Sequence, residues 1–196
     1  MKKIVDTRGL TCPQPVILTR QALIDSEVDE VVTIVDNVTA LENVSKLARS
    51  MQLTASVDEK AGQFYISILK DESVMDDLNI AQSGNANATI LITSNVMGRG
   101  NDTLGGILMK SFMYTLTQME GAFRVLIFMN SGVLLTTEGS EVLEYIRSLE
   151  ERHIEVLSCG TCLDYYHLSD KLRVGSVTNM FTITEKLMEA HRLITL

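Results

Sequence analysis

Three residues in this chain carry side chains that become nucleophiles near neutral pH: Cys12, Cys159 and Cys162. Cys12 sits in the run Asp6-Thr-Arg-Gly-Leu-Thr-Cys-Pro-Gln-Pro-Val16, where a glycine turn meets a helix start. Unpaired N–H groups and partial positive charge at a helix N-terminus favour an anion. A thiolate or persulfide there is expected to ionise readily and react as a nucleophile. Pro13 and Pro15 donate no N–H but stiffen the helix start. Arg8 adds positive charge, and Asp6 can orient Arg8 or the turn. The competing reading is a buried cysteine in a proline-kinked turn.

Cys159 and Cys162 form a C-x-x-C at the end of an apolar strand, in Leu157-Ser-Cys-Gly-Thr-Cys-Leu-Asp-Tyr-Tyr-His167. The spacing permits an intramolecular disulfide, and a following helix would lower the first thiol's pKa. Three readings compete: redox or chalcogen-transfer chemistry, half of a zinc site completed by His153, His167 or a second chain, and inert buried cysteines. One C-x-x-C supplies only two of a zinc site's four ligands.

Around these residues the first part of the chain reads as β-α-β-α-β-β. Strands are expected at Lys3–Asp6 and Val31–Val35, and a hairpin at Thr54–Asp58 and Gln63–Lys70, turning on residues 59–62. Helices are expected from a Thr11 cap to Ile24 and over Ala40–Ser50. That makes a two-layer α/β sandwich with both helices on one face. The polar stretch Asp71–Asn87 reads as a linker, with a helix fragment at Met75–Ile80 as the alternative. Beyond it, apolar strands at Ala88–Thr93, Arg124–Met129, Ile154–Ser158 and Arg173–Val177 alternate with helices at Thr103–Glu120, Ser140–Arg152 and Asn179–Leu193. Apolar strands alternating with helices predict a parallel sheet covered on both faces. The expected domains are residues 1–72, a linker at 73–86, and an α/β domain over 87–196.

The bulk numbers narrow the function further. A net charge of −8 over 196 residues, with no basic run, argues against phosphate-neutralising nucleic-acid binding. No apolar stretch reaches the roughly 18 residues of a spanning helix, and the N-terminus lacks a signal-peptide core. The expectation is a cytoplasmic protein, where cysteines mean chemistry, metal or packing rather than structural disulfides.

The loop Ser94–Thr103 carries Gly98 and Gly100 between strand and helix, yet matches neither a dinucleotide fingerprint nor a P-loop. It reads as an anion-binding turn or a purely structural one. Met109, Met113 and Met119 read as helix core. Tyr165 and Tyr166 read as one buried and one exposed, His191 as surface, and Glu150-Glu151-Arg152 as a solvated helix end. No serine–histidine–acid set is present.

The run Asp6-x-Arg8-Gly9-Leu10-x-Cys12-Pro13-x-Pro15 resembles the motif of the TusA/SirA sulfur-carrier family, over about residues 1–72. The resemblance implies that Cys12 accepts persulfide sulfur from a donor enzyme and relays it, with Pro13 and Pro15 as motif prolines and Asp6 and Arg8 as upstream companions. The second half is similar to DsrE-like domains in its Ala88–Thr93 strand, glycine loop and strand-end cysteine. The combination looks like YedF-type proteins of selenium metabolism, which makes selenium an alternative cargo. The implied partners are a cysteine desulfurase or selenocysteine lyase type donor and a thiol acceptor protein of unknown identity. No bound cofactor or resident metal is needed.

The leading reading is therefore a sulfurtransferase-like chalcogen relay from Cys12, with Cys159 and Cys162 as candidate acceptors. The alternatives are a non-catalytic regulatory or assembly module and a thiol–disulfide protein centred on Cys159 and Cys162. Met- and Leu-rich helices in the second half fit self-association.

Overall fold

The computed structural model describes residues 1–70 and 88–196. The chain divides into two compact units, Met1–Gly84 and Asn85–Leu196. The expected linker over 73–86 and the helix weighed at Met75–Ile80 lie outside the described residues.

In the first unit, β1 (Lys2–Asp6), α1 (Gln14–Ile24), β2 (Glu30–Val35), α2 (Val38–Ser50), β3 (Thr54–Lys60) and β4 (Gln63–Leu69) follow in order. The sheet order is β1-β2-β4-β3, with β1 and β2 parallel and the other pairs antiparallel. Alternation along the strands decides the inner face. Val31, Thr33 and Val35 of β2 stand beside Ile68 and Ile66 of β4, and all five are fully buried. Leu23 of α1 and Val44 and Ala48 of α2 join this core. Burying each Leu, Ile or Val of this set contributes roughly 1.5–3 kcal/mol.

The polar exceptions in the core are paired. The Thr19 hydroxyl donates to the Pro15 carbonyl at 2.7 Å and accepts from Thr33 at 2.9 Å. The hairpin is tighter than the sequence suggests. β3 runs to Lys60, and the turn is Ala61-Gly62, both at positive φ (53° and 73°), the two-residue geometry that matches strand twist.

In the second unit, β5 (Ala88–Ile92), β6 (Val125–Phe128), β7 (Glu155–Cys159), β8 (Ser176–Thr178) and β9 (Arg192–Thr195) form a five-stranded sheet in the order β8-β7-β6-β5-β9, with every pairing parallel. The intervening elements are α3 (Asp102–Leu116), a 3-10 helix (Asn130–Thr136), α4 (Leu143–Glu150), α5 (Gly160–Tyr165), a short 3-10 turn (Ser169–Lys171) and α6 (Met180–Glu189). Met109, Met113 and Leu116 of α3 and Ile146 and Leu149 of α4 cover one face of the sheet. Ile183 and Leu187 of α6 cover the other, over Ile127, Leu157 and Cys159. The expected parallel sheet with both faces covered is what the chain builds.

Several expectations need correction. The helix read over Asn179–Leu193 ends at Glu189, and the chain then forms β9. Four residues carry too little periodicity to register as a strand. This one exists because the open edge of β5 offers peptide groups, and Leu196 N–H donates to Leu91 C=O while Thr93 N–H donates to Leu196 C=O. The helix expected over Ser140–Arg152 is limited to Leu143–Glu150, and the Arg173–Val177 strand shifts to Ser176–Thr178. α3 ends at Leu116 rather than Glu120, so Met119 lies beyond it and is 48% exposed instead of in the core.

Candidate functional site

Cys12 is exposed, in the segment between β1 and α1. That segment is tied down along its length. Thr7 donates both its N–H (3.0 Å) and its hydroxyl (2.8 Å) to the Ile34 carbonyl of β2. Leu10 N–H then donates back to Thr7 C=O at 3.2 Å. Between them, Gly9 at φ 74° turns its N–H onto the Asp36 carboxylate at 2.7 Å. Glycine is needed there because other residues resist that conformation.

Arg8 folds back over Asp6. Its Nε donates to Asp6 Oδ1 at 2.8 Å, its backbone N–H to the same oxygen at 3.2 Å, and a terminal nitrogen to Oδ2. The other terminal nitrogen donates to Gln63 Oε1 on β4 at 3.2 Å. Hydrogen bonding from Arg8 lowers the Asp6 carboxyl to about 2, and Asp6 in turn raises Arg8. The Gly9 N–H, followed by the Asn37 amide, holds Asp36 below the ordinary carboxylate range.

The helix start differs from expectation. α1 begins at Gln14 with Pro13 as its N-cap, no side chain caps it, and the Cys12–Pro13 peptide is cis. A Thr11 hydroxyl cap would need a peptide N–H two or three residues on. Pro13 has none, and the Gln14 N–H donates to the Thr11 carbonyl at 3.0 Å. Cys12 therefore precedes the first turn rather than lying inside it.

The second cluster forms at the C-terminal ends of β6 and β7, the edge where open α/β sheets hold ligands. Cys159 is the last residue of β7 and is 2% exposed, among Ile127, Leu157 and Ile183. Cys162, one turn later in α5, is half-buried and in side-chain contact with Cys159. Its sulfur accepts the backbone N–H of Asn130 at 3.1 Å. Asn130 has φ 50°, a left-handed conformation that asparagine tolerates better than most residues, and its Oδ1 accepts the Tyr166 hydroxyl at 3.1 Å.

The 3-10 helix that Asn130 opens is fastened to β7 by the buried hydroxyl pair Thr136–Ser158 at 2.9 Å. Burial pushes the Cys162 thiol up, the Cys159 contact adds to this, and the Asn130 N–H opposes it. α5 has only six residues, so the expected helix-lowered first thiol finds little helix behind it.

The zinc reading loses one of its two candidate histidines. His153 lines a cavity with Arg124, Arg152 and Ile154 at the start of β7, whereas the cysteines stand at its end. Among the described residues no three His, Cys, Asp or Glu side chains gather to hold a metal ion. The glycine loop joins the second cluster at one point, where Asn95 N–H donates to Ser131 Oγ at 3.4 Å. At Met97 the loop meets α3, its N–H donating to Gly105 C=O at 3.0 Å, while Gly98 to Gly100 are exposed.

Asp36, Gln63 and Asn130 were not singled out from sequence. Asp36-Asn37 reads only as a strand end, and Asn130 carries no sequence signal of its own. Tyr166 reads as a flank, and the structure gives its hydroxyl a defined partner.

Residues 3–70 match the family model described as Sulfurtransferase TusA. Among solved structures, the SirA-like protein from Desulfitobacterium hafniense is 30% identical, covering 36% of this chain and 99% of that one, with a TM-score of 0.33. The YchN protein from E. coli is 16% identical, covering 56% of this chain and 99% of that one, with a TM-score of 0.44. No curated protein matches the chain. A sheet with two helices, a Cys-Pro-x-Pro between its first strand and first helix, and the family match over the same residues lead to one assignment. The N-terminal unit of the chain is a TusA/SirA-like sulfurtransferase domain.

Proposed function

We propose that Cys12 carries a chalcogen atom, sulfur or selenium, as a persulfide or its selenium counterpart, and that the Cys159/Cys162 pair of a DsrE-like second unit is an acceptor. The donor is of the cysteine desulfurase or selenocysteine lyase type, and the final acceptor is a thiol protein. Selenium as cargo follows from the likeness to YedF-type proteins associated with selenium metabolism. The observation that carries the reading is the exposed Cys12 on a turn held at Thr7, Arg8 and Gly9. An exposed thiol lets a donor enzyme reach the sulfur. A fixed turn presents it in one orientation, so little ordering is required on docking.

In loading, the Cys12 thiolate attacks the terminal sulfur of the donor's persulfide, forming the new S–S bond while the donor cysteine leaves as a thiolate. The guanidinium of Arg8, paired with Asp6 and donating to Gln63, braces the same turn against β4. α1 supplies its dipole from behind. Self-association through the second unit belongs to the same reading, supported by Leu104, Ile107 and Leu108 lying exposed along α3. Sedimentation velocity reads it directly.

The test is peptide mass spectrometry after incubation with a cysteine desulfurase and cysteine. The expected result is a dithiothreitol-reversible gain of one sulfur on Cys12, lost in Cys12→Ser. A selenocysteine lyase with selenocysteine repeats the test for selenium. A Cys12 that alkylates freely yet never gains sulfur overturns the carrier reading and favours a docking module built on the same turn.

A further inference from the structure

We propose a division of labour within the second cluster: Cys162 is the thiol that takes up sulfane sulfur, the Asn130 peptide N–H is its anion donor, Tyr166 positions that donor, and Cys159 is the resolving thiol. This rests on the reading of the pair as a sulfur acceptor.

The usual order in a C-x-x-C before a helix is the reverse, because the first thiol lies at the helix N-terminus and faces solvent. Here the first thiol is both the last residue of β7 and the N-cap of the six-residue α5, but it is enclosed by Ile127, Leu157 and Ile183 instead of facing solvent. Enclosed there and 2% exposed, it cannot be reached by a large donor. Cys162 has the open side. It also has an N–H aimed at its sulfur from an element 32 residues away.

That donor is not accidental to the local fold. The chain leaves β6 through Met129 and must reverse into the 3-10 helix, and Asn130 takes the left-handed conformation that does so. The Tyr166 hydroxyl then holds the Asn130 side chain from the far end of α5. Gly132 N–H donates to Met129 C=O at 2.9 Å and closes the turn behind it. The same element that carries Cys162 thus also clamps its donor.

The chemistry balances in two steps. The Cys162 thiolate attacks the outer sulfur of a persulfide donor, a Cys162 S–S bond forms, and the donor's S–S bond breaks. The donor leaves as a thiolate, with no net oxidation. The Cys159 thiolate then attacks Cys162 Sγ. The Cys159–Cys162 disulfide forms, the bond to the outer sulfur breaks, and that sulfur departs as hydrosulfide. It gains the two electrons that the two cysteines lose. An external dithiol reductant restores the pair.

The test uses the full chain carrying Cys12→Ser, with glutathione persulfide as donor, so that it does not depend on Cys12 loading. With Cys159 and Cys162 intact, the expected result is hydrosulfide release and a Cys159–Cys162 disulfide. With Cys159→Ser, the added sulfur stays on Cys162 and hydrosulfide release stops. With Cys162→Ser, neither product forms. Tyr166→Phe, which keeps the ring, should slow sulfur uptake by about fivefold, the worth of one hydrogen bond, and move the alkylation profile of Cys162 to higher pH. In an Asn130→Gly background, which keeps the N–H and the left-handed turn, Tyr166→Phe should add nothing further.

Sulfur found first on Cys159, or uptake unchanged by Cys162→Ser, overturns the assignment. Sulfur on neither cysteine overturns it as well and leaves desulfurase loading of Cys12 in the unmodified chain as a separate question with its own answer.

Discussion

The peptide N–H of Gly9 and the carboxylate of Asp36 meet at 2.7 Å, joining the turn before Cys12 to the end of β2. A contact between residues 27 positions apart is what makes the motif segment a fixed presentation rather than a free loop. Asp36→Ala should slow sulfur loading of Cys12 by about fivefold while leaving its endpoint unchanged. Asp36→Asn, which still offers an acceptor, should slow it less. A time course of persulfide formation checks both.

The three thiols should react with an alkylating agent in the order of their accessibility. Cys12 is exposed, Cys162 half-buried and Cys159 2% exposed, so Cys159 should label only as the protein unfolds. Peptide mapping at successive times under native conditions and in denaturant reads that order.

The Asp6 carboxyl should titrate at about 2 because Arg8 hydrogen-bonds to its charged form. Arg8→Ala should return it towards the ordinary 3.8. The sign of the linkage follows from a lowered folded value. The contribution to stability is present above the ordinary value and is lost as pH falls through about 2. Carboxyl NMR shifts followed through acid pH measure the unmodified protein and Arg8→Ala alike.

Gly132 approaches β5 with no room to spare. A Cβ there would stand 2.3 Å from the Ile92 carbonyl oxygen and 3.1 Å from its carbon, both backbone atoms that cannot move aside alone. Gly132→Ala should therefore destabilise the chain by about 1–3 kcal/mol. It should also disturb the turn that presents Asn130. Denaturant unfolding gives the first effect, and the alkylation rate at Cys162 gives the second.

Burial and the neighbouring Cys159 both push the Cys162 thiol up from its ordinary 9.0. Its alkylation rate should keep rising with pH beyond that value. Cys159→Ala removes the second cause and leaves burial, so the profile at Cys162 should move to lower pH. A shift the other way would mean that Cys159 stabilises the Cys162 thiolate.

The amino-acid sequence by itself determined the element order of the first unit, the parallel sheet of the second, and the three cysteines worth watching. Those features are local. Asp6 to Pro15 is one contiguous motif, and the strands from Ala88 and Val125 declare themselves by near-continuous apolar runs. Tertiary structure decided what each cysteine faces. Cys162 meets Asn130, Gly9 meets Asp36 and Arg8 meets Gln63, at separations of 32, 27 and 55 residues. Hydrogen bonds of that range leave no periodic trace in the chain. Thr11, a good capping residue by type, caps nothing, because Pro13 has no N–H to offer. Arg192–Thr195, too short to declare itself, becomes a strand because β5 has an edge to complete. Local propensity proposes an element, and the partner that satisfies or denies its peptide groups decides whether it forms.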